Sequence, residues 1–337
     1  MAEFLRALAA WIALAWGTLT FPTTAPGEAA NVVVAGDFAY ASLGEAGIEI
    51  LHLPDEERRR VFLEALESAD DVAVADGLLF ALDAQPPGSL GIYSLGDPWR
   101  PALVDAPTPV EVGPFSGVSA AAGRVAVSGG TGLLSLREYR ADGSLGTEVA
   151  TADLGRGQPD LRLSPDGGRA FVSVHRSGPH FALRIARLAS GPLRVEPDGE
   201  LPLDTWGFTP GGARPASFPI QSALAGEILF VAHASGLALI DVAKPAAPRM
   251  LQVLRTGVAP VGVEAGNGVV AVVGADPEPR LVLLDVRDPG WPQIVHSVAL
   301  PRGSRPTGVA FGPSQVLVAA GSGGVLVFER RGLAPYR

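Results

Sequence analysis

The chain has 337 residues, 47% of them hydrophobic and 18% charged, with 42 glycines and 30 prolines, which suits a folded, turn-rich chain and not a disordered one. Its net charge is −9 and Lys244 is the one lysine among 26 basic residues, so the cation clusters that neutralise phosphates are missing and nucleic acid is set aside as a partner. With no cysteine, disulfides, thiolate catalysis and thiolate-held zinc or iron–sulfur sites are excluded.

The N-terminal stretch MAEFLRALAAWIALAWGTLTF carries Arg6, an apolar run from Ala7 to Leu14, and the A-x-A pattern Ala13-Leu14-Ala15. Residues 1–15 read as a short signal peptide, which sends the mature chain out of the cytoplasm, to the periplasm or beyond. Glu3 and the brevity of the run leave an amphipathic or buried N-terminal helix as the alternative. A spanning helix needs about 20 apolar residues, so no permanent transmembrane anchor is expected.

From residue 31 onward the chain repeats itself. Seven stretches share a small or polar residue, an apolar alternation and a turn: NVVVAGD at 31, DVAVADG at 71, GVSAAAG at 117, DLRLSPDG at 160, QSALAG at 221, GVEAGNG at 262 and GVAFGPS at 308. Most spacings fall near the roughly 40–50 residues of a four-stranded propeller blade. Tight turns such as Asp76-Gly77, Asp166-Gly167 and Asn267-Gly268 join the first two strands, because these residues tolerate the positive φ that hairpins require. Third strands follow in each unit, among them GLALIDV and RLVLLDV. Asp241, Asp285 and Asp97 stand at or just past their ends, with Pro245, Pro289 and Pro98 at the corner of a type I or II turn. Pro248, Pro292 and Pro101 then open the fourth strand, an edge position where proline is tolerated. The seventh unit ends at RRGLAPYR without a fourth strand, and the β-prone segment GTLTFPT at 17–23 has no other partner. The expectation is an all-β, seven-bladed β-propeller of four-stranded blades over residues 16–337, read as a monomer and closed by the N-terminal strand.

The phrases GLALIDVAKPAAP and RLVLLDVRDPGWP resemble the LVIVD repeat, a propeller-forming repeat of bacterial and archaeal proteins that are often extracytoplasmic; LGIYSLGDPWRP follows it more loosely. LSPDGGRAFVSV at 163–174 is similar to repeats of the lactonase-like and surface-layer propellers, through a turn that many propellers share. The resemblance implies the fold and says little about activity, since propellers host hydrolases, redox enzymes and interaction platforms alike.

Residues at the starts of the innermost strands form a ring facing the central channel: Asn31, Asp71, Gly117, Asp160, Gln221, Gly262 and Gly308. Its carboxylates and amides either hold a hard divalent cation such as Ca²⁺ through oxygen, with Asp71 and Asp160 as metal ligands, or simply cap strand ends. His175 and His233 fall at equivalent positions of adjacent blades on the same face, with His180 nearby; they are either acid, base or metal ligands or solvated loop histidines. The irregular insertion at 201–219, with Trp206, Phe208 and Phe218, reads equally as a lid over the channel and as a surface loop. No nucleophile elbow, Walker loop or H-E-x-x-H motif is present. The favoured expectation is a non-catalytic, exported propeller that presents one face to a protein, glycan or small molecule. The alternative is a metal-dependent, lactonase-like hydrolase with its cation at the channel.

Overall fold

The computed structural model describes residues 18–19, 28–85, 87–110, 117–129, 132–154, 160–175, 181–189, 191–203, 221–233, 236–275 and 277–330. Within them the strands form seven antiparallel sheets, each running outward from one innermost strand. The innermost strands are Asn31–Ala35, Asp71–Ala75, Gly117–Ala121, Asp160–Leu163, Ser222–Ala225, Pro260–Gly266 and Gly308–Phe311. Their starting points lie within two residues of the seven expected from the repeat. Each packs against the innermost strand of the next blade, and the seventh against the first, so the sheets close into a ring.

Alternation along each strand drives this arrangement. One set of side chains goes to each face of a blade, and both faces are buried because a blade is covered by neighbours on both sides. The second and third strands are therefore mostly apolar and buried, as in Leu78–Asp83, Gly236–Asp241 and Gln315–Ala319. Among the described residues the core divides into seven clusters, one per blade interface. Phe230 and Leu239 of blade five pack on Val270, Val272 and Leu284 of blade six; Leu317 and Val327 of blade seven pack on Val32, Leu43 and Leu51 of blade one. Each such side chain, fully buried, contributes about 1.5–3 kcal/mol. Closure is thus carried by the same apolar contact as every other interface, reinforced where Ala29 and Gly321 exchange main-chain hydrogen bonds of 2.9 and 3.2 Å.

Local turn chemistry agrees with expectation at Asp76-Gly77 and Asn267-Gly268, where both residues take positive φ. Blade four departs from it. Asp166 is absent from the positive-φ positions, and the N–H of Gly167 bonds to the carbonyl of Ser164 at 2.8 Å, so Ser164–Gly167 form a four-residue turn with Gly168 added before the ladder resumes at Ala170. The outer edge of blade two is also irregular: two short pieces, Ala102–Leu103 and Thr108–Pro109, pair with the two ends of Ser89–Ser94.

The rim turns corner at the expected prolines. The N–H of Ala247 bonds to Lys244 O, that of Trp291 to Asp288 O and that of Arg100 to Asp97 O, each with proline second in the turn. The alignment of Asp97 with Asp241 and Asp285 is corrected. Asp97 opens the turn, as Lys244 and Asp288 do, while Ser94 takes the place of the two aspartates and accepts the N–H of Gly96 at 3.2 Å. Outer strands begin right after Pro101, Pro248 and Pro292, as the edge position requires.

Candidate functional site

The starts of the innermost strands surround a cavity of about 460 Å³ at the channel, lined by Asn31, Asp71, Gly117, Asp160 and Gln221. Four of the seven expected ring positions carry polar side chains, and the structure brings all four to this cavity.

Asn31 is clamped at both ends of its amide. Its Oδ1 accepts the N–H of Val32 at 2.8 Å, and its Nδ2 donates to Asp71 Oδ1 at 2.7 Å and, more weakly, to Val72 O at 3.4 Å. Asp71 also takes the N–H of Val72 on Oδ1 and that of Val118, on blade three, on Oδ2, both at 2.9 Å. One aspartate therefore ties three blades together. Burial pushes its carboxyl up to about 6 despite these donors, and Asp70 adds to the rise. Gln221 reaches in the other direction, donating from Nε2 to Thr307 O of blade seven at 2.9 Å. It passes over Gly262 and Gly308, where added Cβ atoms would stand 3.0 Å from Oε1 and 3.4 Å from Nε2.

Asp160 is placed differently. Burial again pushes its carboxyl up to about 6, offset in part by the hydroxyl of Ser222, by Arg162 and by the Ser222 N–H, while Asp71 adds to the rise. The Ser222 hydroxyl is near enough for that effect without closing to a formed hydrogen bond: its Oγ and Asp160 Oδ2 are both buried without a partner among the described residues. One layer deeper, Arg162 spans the channel. Its guanidinium donates to Glu264 Oε2 of blade six at 2.8 Å and from Nε to Ser222 O at 3.3 Å, and the pair stays 34% and 28% exposed to channel water. Glu264 first, then Asp160 and Asp71, hold the guanidinium above its ordinary range.

Arg162, Ser222 and Glu264 were not singled out from the sequence. A signal existed for two of them: in DLRL and GVEAG a charged residue stands two positions after the ring residue, on the same face of a strand. Of the other expected residues, His175 and His233 end the second strands of blades four and five, at the ring's end of those blades. Their side chains, together with His180 and Trp206, lie outside the described residues.

For an oxygen-held cation at Asp71 and Asp160, the wall offers little freedom. Asp71 already receives three N–H donors, and among the described residues no three His, Asp or Glu side chains are close enough together to hold a metal ion.

A second-strand serine opposite the ring residue recurs in three blades. Ser42 accepts the N–H of Asn31 at 2.9 Å, Ser128 donates to Gly117 O at 3.4 Å, and Ser173 faces Asp160. That unit of strand, hairpin and strand is where comparison with known families finds a match. Residues 26–51 match the LVIVD repeat. The match covers the first two strands of blade one and most of the third, whereas the phrases that resemble LVIVD repeats most by eye lie in blades five and six. No curated protein matches the chain. Among solved structures, a streptogramin B lyase superposes with a TM-score of 0.66 at 14% identity, over 93% of this chain and 97% of that one. The WD40 β-propeller domain of Doa1 gives 0.65 at 12%, over 94% and 98%, and the computationally designed Ika8 protein 0.59 at 9%, over 93% and 100%. At such identities the likeness is one of fold.

Proposed function

We propose that this LVIVD-repeat propeller is an exported, monomeric binding module that takes its ligand at the channel mouth and performs no chemistry on it. The observation that supports this most is how the mouth uses its polar groups. Asn31, Asp71 and Gln221 are tied to the main chain of neighbouring blades, which holds a polar cavity open in one shape. A preformed cavity with few fixed polar groups binds without reorganisation. Titration of isotope-labelled protein with small polar compounds tests it: shifts centred on Asn31, Asp160 and Gln221 are expected, and shifts confined to the blade rims would sink the reading.

The hydrolase reading has one observation in its favour, Asp160 Oδ2, which lacks a donor among the described residues and belongs to a carboxyl lifted to about 6. Thermal unfolding separates the two. With a binding module, EDTA and added Ca²⁺, Mg²⁺, Mn²⁺ or Zn²⁺ leave Tm unchanged. An ion held at 100 times its dissociation constant would instead add about 2.7 kcal/mol, and its loss in Asp160→Ala would turn attention to lactones and esters.

Ring closure by residues 17–23 and export by residues 1–15 belong to the same proposal. Antiparallel pairing of Thr18 with Phe328 and of Leu19 with Val327 supports the closing strand. The mass of the protein recovered outside the cytoplasm, with residue 16 as its first, is the expected result.

A further inference from the structure

The channel cavity carries negative charge that its own residues leave uncompensated. Asp70, Asp71, Asp160 and Glu264 line it against one guanidinium among the described residues, that of Arg162. The carboxylates lie close enough to raise one another, Asp70 acting on Asp71 and Asp71 on Asp160. A cleft lined by one sign of charge concentrates counter-ions.

Three of these carboxylates have protein donors. Asp70 takes the Ser68 hydroxyl at 3.0 Å and the Ala84 N–H at 2.8 Å, Asp71 takes three N–H groups, and Glu264 is held by Arg162. Among the described residues Asp160 Oδ2 has no donor, and two hydroxyl oxygens near it are equally unsatisfied, those of Ser222 and Ser173. Ser222 is 4% exposed and lines the cavity; Ser173 is 2% exposed, lies outside the cavity lining and stands directly opposite Asp160 across the first hairpin of blade four. The equivalent serines of blades one and three are bonded to their own ring residues, so blade four has lost the pairing that its sister blades keep. Buried polar atoms without partners are costly and rare.

We infer that the cavity binds the primary ammonium group of a small amine, with Asp160 as its charge partner and the hydroxyl of Ser222 as a neutral acceptor. This rests on the channel-mouth reading above and gives it a ligand class. An ammonium brings N–H donors and no acceptor, which complements a carboxylate oxygen and a hydroxyl of the cavity wall that lack donors among the described residues. A divalent metal ion suits the wall less, because it needs several oxygens at once and the other carboxylates are engaged. Rotation of the Asp160 carboxyl about its terminal torsion, a broad one, turns Oδ2 toward the amine.

The test is calorimetry and thermal unfolding of the whole chain at pH 7.5 with methylammonium chloride, tetramethylammonium chloride and sodium chloride at equal ionic strength. Methylammonium is expected to bind saturably and raise Tm; tetramethylammonium, with the same charge and no N–H, is expected to match sodium chloride. Asp160→Asn should weaken methylammonium binding at least about tenfold, the loss typical of one charge-assisted hydrogen bond. Ser222→Ala, which keeps the charge, should weaken it by a smaller factor and serves if Asp160→Asn does not fold. Equal responses to the two organic cations, or binding unchanged in both variants, would overturn the assignment. Acetate and glucose are run alongside. Saturable binding of either with methylammonium silent would overturn the amine assignment and leave the channel-mouth module standing, and silence from every probe would overturn both.

Discussion

Gln221 crosses the channel mouth through space that two absent side chains leave open. Its amide lies against Gly262 and Gly308 and ends on a carbonyl of blade seven, two blades from its own. A methyl group at Gly262 would stand 2.8 Å from Val273 Cγ2, 3.0 Å from Gln221 Oε1 and 3.2 Å from the Gly308 Cα. Gly262→Ala is therefore expected to destabilise the protein by about 1–3 kcal/mol, the usual range for overpacking, as read from urea unfolding; an unchanged midpoint would mean that Gln221 is free to move aside. In the sequence these positions were legible as a ring, because each opens an innermost strand. That the two glycines serve a glutamine from another blade was not, since the three residues are joined only by the closing of the ring.

The rim turn shows what a repeated phrase does beyond turning a corner. In three blades the carbonyl of its first proline is aimed at the preceding blade. Tyr40 of blade one donates its hydroxyl to Pro98 O at 3.2 Å, and Gln252 of blade five donates Nε2 to Pro289 O at 2.8 Å. In blade four the same place is filled by Gly199, where an added Cβ would lie 1.9 Å from Pro245 O. Proline fixes φ at the corner, so the carbonyl that follows is held in one direction. Gly199→Ala, on a partly exposed outer strand, is expected to cost about 2 kcal/mol or more, because the clash is with main chain and the turn itself must shift. A thermal midpoint equal to the parent's would show that the turn gives way freely. The proline corners were visible in the sequence, opened by D-x-x-x-P in blades five and six and by Ser94 in blade two; their receiving partners, a tyrosine, a glycine and a glutamine, share no residue type and so left no pattern to find.

At the scale of the whole molecule, stability is distributed over seven apolar interfaces and a polar ring. The ring makes it depend on pH. Asp71 and Asp160 have their carboxyls lifted to about 6 in the folded state, so between about pH 4 and 6 the folded protein binds protons that the unfolded chain does not. Their contribution favours the folded state at the acid end of that window and is lost as pH rises through 6. Buried Glu49 acts in the same sense; His296, whose ring burial holds below its usual range, acts in the opposite one. The comparison that isolates the ring is therefore between the parent and Asp71→Asn. The parent should lose on the order of 1 kcal/mol more stability than the variant between pH 4.5 and 7, measured by denaturant unfolding, and parallel profiles would contradict this account.

The sequence alone determined the architecture: strand alternation, turn residues and a near-constant spacing specify seven similar sheets, because each blade is a local unit whose pattern needs only neighbouring residues to form. It also determined that the residues opening each repeat reach the channel, though not that Arg162, Ser222 and Glu264 join them there. Only the tertiary structure decided how they are used. Asp71 is saturated by donors from blades one, two and three, while Asp160, the same residue type at the equivalent position, keeps an oxygen without a donor among the described residues. The physical reason is that a side chain in the ring is satisfied or left wanting by groups on other blades, tens of residues away, and their approach is set by ring closure and not by local sequence.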